Sequence, residues 1–358
     1  MSQQAIKGSL PTLLISPQDI AKIIQKQGIK STFEGMMEYL HQDYLRWDEF
    51  DKTARVANYL NNGVLELMPI ASKEQYSFKY VNCHPDNPNH GLSTVLAFGA
   101  LISNDTGKPD VISEFTLTTA IRTAAMSVLA AKYLARPNSK RMAIIGNGCQ
   151  SEFQALAFYH LLGIQELAIF DIDPKASQKL VHNLRNTDLK IEIFDNVTDA
   201  VKGADIITTV TAEYSKAHII TEAMVEAGVH INAVGGDSPG KTELDPRILT
   251  KGTVYVEFEP QTRVEGELQN MPEDFKVKLL ADIFKSKQSA RTSNEEITIF
   301  DSVGFAIEDF SAVRYITDAA VKLGLAQPLA LVPDLADPKD LFGYLESSIE
   351  ETTLRQAV

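Results

Sequence analysis

The order of apolar and polar positions changes character once along the chain, near residue 140. Ahead of that point, residues 13–16 form a short apolar run that predicts a strand. Ser16-Pro17 then opens a predicted helix over residues 19–27. Phe33, Met36, Met37, Leu40, Tyr44 and Trp47 recur at helical spacing and predict a second helix over residues 31–50. Four alternating runs follow, at 55–60, 63–69, 76–81 and 93–101. Turn signals separate them at Asn61-Asn62-Gly63, His84-Pro85-Asp86 and Asn104-Asp105-Thr106-Gly107. This pattern predicts an antiparallel sheet. An alanine-rich helix over 115–135 closes the region, and Arg136-Pro137-Asn138 ends it.

From Lys140 the pattern alternates between strand and helix. Strands are expected at 142–145, 167–170, 191–194, 206–210, 230–234, 254–257 and 297–301. Helices are expected at 149–162, 176–186, 198–202, 222–226, 246–250 and 305–323. The expected fold class is therefore α/β: a Rossmann-type doubly wound parallel sheet beside a smaller α+β unit, with ligands at the C-terminal strand ends. The first strand of the alternating half runs into Gly146-Asn147-Gly148. There the first glycine permits a tight turn, and the second lets backbone approach a pyrophosphate at the N-terminus of the next helix. Ser151 stands where a third glycine is usual. The second strand ends in acid, with Asp171 and Asp173. An acid at that place accepts hydrogen bonds from ribose hydroxyls and repels a 2′-phosphate, which favours NAD over NADP.

A chain of 358 residues has room for two cores, and a net charge of −13 argues against a nucleic-acid or anionic-membrane surface. Two cysteines, Cys83 and Cys149, are too few for a disulfide framework, and no His/Cys/Asp cluster has metal-ligand spacing, so no metal is expected. No apolar run reaches membrane-spanning length, and residues 1–12 lack a secretory pattern. These features point to a cytoplasmic enzyme or binding protein.

Two groups of residues carry candidate chemistry. Gly235-Gly236-Asp237 follows a strand, so Asp237 is expected beside the ligand cleft, although it also suits a turn cap before Ser238-Pro239. Lys241 is either a solvated lysine or a partner of Asp237 or of a phosphate. Arg55, Glu66 and Lys79 lie in separate β-like runs, each flanked by apolar residues. Singly, such charges belong on a solvated face. Together they line a pocket whose two cations suit the carboxylate of an amino acid and whose acid suits its amino group. Arg122, in a run of small residues, suits a bidentate anion contact.

Several ordered stretches resemble the ornithine cyclodeaminase/mu-crystallin family: Leu65-Glu-Leu-Met-Pro69, Phe78-Lys-Tyr-Val-Asn82, Ala120-Ile-Arg-Thr-Ala-Ala125, Ile145-Gly-Asn-Gly-Cys-Gln150, Asn232-Ala-Val-Gly-Gly-Asp-Ser-Pro-Gly-Lys-Thr-Glu-Leu244 and Phe300-Asp-Ser-Val-Gly-Phe305. Glu257-Phe-Glu-Pro-Gln-Thr-Arg-Val-Glu-Gly-Glu267 and Pro338-Lys-Asp-Leu-Phe342 resemble its bacterial ornithine cyclodeaminase branch. The resemblance implies a substrate-binding and dimerisation domain over 1–136, completed by 325–358, and an NAD-binding domain over 137–324. It implies a homodimer and conversion of L-ornithine to L-proline and ammonia, with NAD reduced and reoxidised within one turnover. Such an activity belongs to ornithine and arginine catabolism and to proline biosynthesis. Carried over position by position, Arg55, Lys79 and Arg122 hold the substrate carboxylate. Glu66 acts on the α-amino group or a water, Asp237 moves a proton at the side-chain amine, and Val303 lies beside the substrate. Thr94, Arg122, Gly146, Gly148, Cys149, Gln150, Asp171, Thr211, Ile231, Asn232, Ala233, Val234, Lys241 and Ser302 contact NAD. Cys149 replaces an alanine usual in the family. The same fold also accommodates an amino-acid dehydrogenase, a lysine cyclodeaminase, a cyclic ketimine reductase, or a crystallin-like binding protein without catalysis.

Overall fold

Period-two alternation in the N-terminal third builds one sheet, and the strand–helix alternation after it builds another. The structure is a computed structural model that describes residues 11–212 and 215–345. Residues 1–10, part of the stretch without a secretory pattern, and 346–358, the acidic end of the returning tail, lie outside the described residues.

The N-terminal third contributes β1 (Thr12–Ile15), α1 (Pro17–Gln27), α2 (Ile29–Leu45), β2 (Asp51–Lys52), β3 (Val56–Leu60), β4 (Gly63–Ala71), β5 (Gln75–Cys83), β6 (Val95–Ser103), β7 (Pro109–Glu114) and α3 (Thr116–Leu134). The capping of α1 is legible in its sequence. Asp19 N–H donates to Ser16 Oγ at 3.3 Å while Ser16 N–H donates to Asp19 Oδ2 at 3.0 Å. Strand β1 pairs parallel with β7, and β7-β6-β5-β4 run antiparallel, with β2 and β3 both on β4. Along β4 the inward positions Val64, Glu66, Met68 and Ile70 are buried and Leu67 is exposed, as the pleat dictates.

The remaining chain gives β8 (Arg141–Ile145), α4 (Ser151–Leu162), β9 (Glu166–Phe170), α5 (Pro174–Asn183), β10 (Lys190–Ile193), α6 (Val197–Val201), β11 (Ile206–Thr209), β12 (Lys216–Ile220), β13 (His230–Ala233), β14 (Thr242–Leu244), α7 (Pro246–Lys251), β15 (Thr253–Val256), α8 (Glu259–Glu265), β16 (Lys278–Leu279), α9 (Leu280–Ser286), β17 (Thr298–Asp301), α10 (Ala306–Lys322) and β18 (Gln327–Leu329). The second sheet has the order β10-β9-β8-β11-β13-β17-β15-β16, all parallel, so its order reverses between β8 and β11. A reversal of this kind opens a crevice at the C-terminal strand ends. The two remaining strands, β12 and β14, form a small separate sheet. The tail returns to the first sheet, where β18 pairs antiparallel with β1. Helix α10 packs against α2, α3 and strands β4 to β6, and α3 also packs against α4, so α3 and α10 tie the two sheets together.

Several elements differ from the sequence expectation, among them β12, β14, β16, α8 and α9, which form where none was expected. The helix expected over 31–50 stops at Leu45, and a 3-10 turn, Trp47–Glu49, follows. Trp47 and Phe50 remain buried because their rings meet Phe305 and Phe310, with centroids 5.5 Å and 5.1 Å apart. Their periodicity reports burial, not helix. The segment expected as a helix at 222–226 is a 3-10 turn, Glu222–Met224, and β7 forms where no strand was expected.

Candidate active site

The charged residues singled out on and beside the first sheet do not face water. Arg55, Glu66, Lys79 and Arg122 are all buried. Glu66 and Lys79 lie on the inward face of adjacent strands, two residues apart in register, since Met68 is the partner of Lys79. Arg55 precedes β3 and reaches across to the second sheet. Its Nη1 donates to both Glu66 oxygens at 3.2 and 3.1 Å, and its Nη2 donates to the Val303 and Gly304 carbonyls at 2.6 and 2.7 Å. Those carbonyls follow the end of β17, on the second sheet. Glu265 Oε2 stands 3.0 Å from Arg55 Nε. Burial acts against the guanidinium charge, but Glu66 and Glu265 outweigh it and hold Arg55 more firmly protonated than usual.

Lys79 Nζ donates to Asp309 Oδ1 at 2.9 Å, and Arg122 donates to Glu308 Oε2 at 2.6 Å with its Nε 3.3 Å from Asp309. Burial pulls the Lys79 ammonium down to about 8, with Asp309 opposing and Arg122 adding to the fall. Burial raises the Glu308 carboxyl, against the pull of Arg122. The three cations expected to hold a substrate carboxylate thus stand together, and each already has a carboxylate partner. Glu308 and Asp309 were missed by the sequence reading, as were Glu265 and Gln261. Gln261 accepts from Arg55 N–H at 3.1 Å and donates to the Gly304 carbonyl at 2.8 Å. Glu265 lies inside a stretch singled out above without a role; burial pushes its carboxyl up to about 7, Arg55 opposes, and Glu66 and Asp237 add to the rise.

Asp237 sits in the loop after β13 and is the more accessible member of an ion pair with buried Lys241, at 2.9 Å. Burial disfavours the Lys241 charge, but Asp237 and Glu243 more than compensate. Of the three roles considered for Lys241, the structure shows the pairing with Asp237. Glu243 accepts from Thr211 N–H, Thr211 Oγ1–H and Gly235 N–H at 2.8, 2.7 and 2.9 Å. It anchors Thr211, an expected cofactor contact, to this loop.

The turn between β8 and α4 lies at the crevice. Gly146 has φ +95°, and a Cβ there would come within 2.8 Å of the Val210 carbonyl, so only glycine fits. Gly148 has open space where a Cβ would go, Cys149 is exposed, and Gln150 Oε1 is buried with no protein partner. Asp171 follows β9 and accepts from Asn147 N–H at 2.5 Å and Asp173 N–H at 2.8 Å, which fixes the turn against the acidic strand end. An orphaned acceptor beside an open glycine turn suits a dinucleotide. Ser302, buried beyond β17, donates to Glu257 at 3.3 Å. Ala233 and Val234 stand at the end of β13. Ile231 and Asn232 lie inside that strand; Ile231 packs in the core, and Asn232 bonds Thr208 at 3.2 Å and His230 at 3.1 Å. Thr94 lies outside this group in the β5–β6 connection, where its carbonyl accepts from His84 N–H at 2.9 Å. Among the described residues, no three His, Cys, Asp or Glu side chains are grouped to hold a metal ion, and no helix is long and apolar enough to cross a membrane.

Comparison with known proteins gives the same family as the motifs. The ornithine cyclodeaminase/mu-crystallin family matches residues 20–323. An ornithine cyclodeaminase of Brucella suis is 49% identical over 331 residues, 92% of each chain. A lysine cyclodeaminase structure, described as showing recognition of L-lysine, L-ornithine and L-2,4-diaminobutyric acid, superposes with a TM-score of 0.87 at 28% identity, covering 93% of this chain and all of its own. An archaeal alanine dehydrogenase dimer with bound NAD superposes with a TM-score of 0.81 at 30% identity, covering 90% of this chain and all of its own. The chain is a member of the ornithine cyclodeaminase/mu-crystallin family.

Proposed function

We propose that this protein converts L-ornithine to L-proline and ammonia with catalytically recycled NAD. The observation that carries the reading is the bridge made by Arg55. Its guanidinium joins Glu66 on the first sheet to the Val303–Gly304 carbonyls on the second, near the loop that holds Asp237. A substrate lying across that bridge has its carboxylate among Arg55, Lys79 and Arg122 and its terminal amine toward Asp237. The likeness to the Brucella suis ornithine cyclodeaminase supports the substrate.

When bound, NAD would supply the hydride chemistry, as acceptor from the substrate Cα and then as donor to the ring-closed imine. The Gly148 and Gln150 N–H groups at the start of α4 would hold its phosphates, with Gly146 shaping the turn, and Asp171 would meet its adenosine ribose. The chain's own residues do the rest. The three cations fix the carboxylate and so aim Cα. Asp237 accepts a proton from the terminal ammonium, freeing its lone pair for attack on Cα, and Lys241 holds the carboxylate in place. Glu66, gripped by Arg55, takes the proton of the α-amino group. The two protons return to the ring nitrogen and the departing ammonia, so the account closes without an outside acid. Replacing Asp237 with Asn tests this role: proline formation is lost while NAD still binds, and undiminished proline formation removes Asp237 from the mechanism.

We further propose that the protein acts as a cytoplasmic homodimer in ornithine catabolism and proline formation. The outward face of the first sheet supports the dimer, since Val56, Leu67 and Phe98 are 64%, 40% and 47% exposed in one row across β3 to β6, with Tyr80 of β5 between the last two. We also propose a division into a substrate-binding, dimer-forming unit, residues 1–136 with 325–358, and an NAD-binding unit, residues 137–324. The separate sheets support it, while α10, within the second range, packs against the first sheet and so crosses the division.

A further inference from the structure

We infer that the segment from Gln261 to Gln269 is a bracket that sets the reach between the two ends of the substrate site, and so selects the length of the substrate's side chain. The inference rests on the function proposed above and names a specificity determinant for it.

The bracket holds the carboxylate end of the site at its start. Gln261 accepts from the Arg55 backbone at 3.1 Å, and Glu265 stands 3.0 Å from the Arg55 Nε. It holds the amine end at its finish. Glu267, buried, accepts from Glu243 N–H at 2.7 Å and Leu244 N–H at 3.1 Å. Gln269 accepts from Gly240 N–H at 2.6 Å and donates to the Ser238 carbonyl at 3.1 Å. Those bonds span the loop that carries Asp237 and Lys241. The middle is pinned to the parallel sheet. Asp301, at the end of β17, accepts from Glu267 N–H at 3.0 Å and Leu268 N–H at 3.1 Å. A Cβ on Gly266 would come within 2.6 Å of Asp301 Oδ1, so the turn lies flush against that carboxylate.

Gln261, Glu267 and Asp301 are buried, and each makes two bonds of 3.1 Å or less, so the middle of the bracket does not stretch. Arg55 and Asp237 approach the substrate from opposite ends of this fixed segment. An apolar pocket wall discriminates one methylene only weakly, by roughly 10- to 200-fold. Fixing both charged ends adds a second constraint, because a chain one carbon too long or too short cannot satisfy both.

Two variants test this, E265D and E267Q, with kcat/KM measured for L-ornithine, L-lysine and L-2,4-diaminobutyrate and NAD affinity measured alongside. E265D keeps the charge but draws Arg55 toward the bracket by one methylene. E267Q keeps the shape but loses one acceptor for the loop. In at least one of the two, the preference among the three amino acids shifts by about tenfold or more while NAD affinity stays within about twofold. Equal loss on all three amino acids in both variants, or an unchanged ratio, overturns the bracket. A wild-type protein that prefers lysine overturns the substrate proposed above and leaves the test of the bracket intact. A wild type that consumes none of the three overturns both readings, since there is then no length preference for the bracket to set.

Discussion

Replacing Asp309 with Asn removes the negative charge that two buried cations share. Arg122 keeps Glu308 at 2.6 Å, so Lys79, 1% exposed and 2.9 Å from Asp309, bears most of the loss. Breaking a buried ion pair from one side costs about 3–5 kcal/mol. Lys79 has one escape, which is to discharge. Its folded pKa already stands at about 8, below the ordinary lysine value, because burial outweighs Asp309. Without Asp309 it falls further. Below that new value Lys79 is charged in both proteins and the variant carries the full electrostatic penalty. Above about 8 it is neutral in both, and that part of the penalty vanishes. Each unit by which the variant's value falls adds about 1.4 kcal/mol to the gap on the acid side. Urea unfolding at pH 7 and pH 9, at one protein concentration, measures it. We expect a gap of about 1–2 kcal/mol at pH 7, where Lys79 is charged in the wild type and neutral in the variant, that narrows at pH 9. A gap under about 1 kcal/mol at both pH values, or one that widens toward pH 9, refutes the reasoning.

Other consequences follow from the same geometry. Gly146→Ala meets a positive φ worth about 1–2 kcal/mol and a carbonyl that cannot retreat, so NAD affinity falls at least tenfold; a fluorescence titration with wild-type affinity contradicts it. Glu243→Gln puts a donor where three bonds are accepted, and it lowers kcat for proline formation by about tenfold or more with the fold intact by circular dichroism; an unchanged kcat contradicts it. Phe98→Lys, on the exposed apolar face, lowers the mass seen by sedimentation toward that of one chain, and a mass identical to the wild type removes this face from the dimer.

What could be read from the sequence was what local chemistry dictates. Gly146-Asn147-Gly148 announces its turn because a positive φ leaves a residue-type signature in place. The alternation in β4 and β5 marks one face as buried. It does not reveal that Glu66 and Lys79 are on that face, since a charge between apolar neighbours reads as the outward position of a strand. What reverses the reading lies far away in sequence. Asp309 reaches Lys79 across 230 positions, and Val303 meets Arg55 across 248. No spacing rule connects such pairs. Strand β7 escaped notice because Pro109 and Asp110 look like a continuation of the preceding turn, and its pairing with β1 and β6 is what makes it a strand. Glu265 and Glu267 sat within a recognised stretch, yet their roles depend on a loop and an arginine that the fold brings to them.

The central claim is that one protein both oxidises and reduces within a single turnover. Purified protein is incubated with L-ornithine and a trace of NAD, without added reductant, while ammonia and proline are followed together. The account predicts equal amounts of both, far exceeding the NAD present. Ammonia accompanied by stoichiometric NADH and no proline would mean a dehydrogenase and would contradict it.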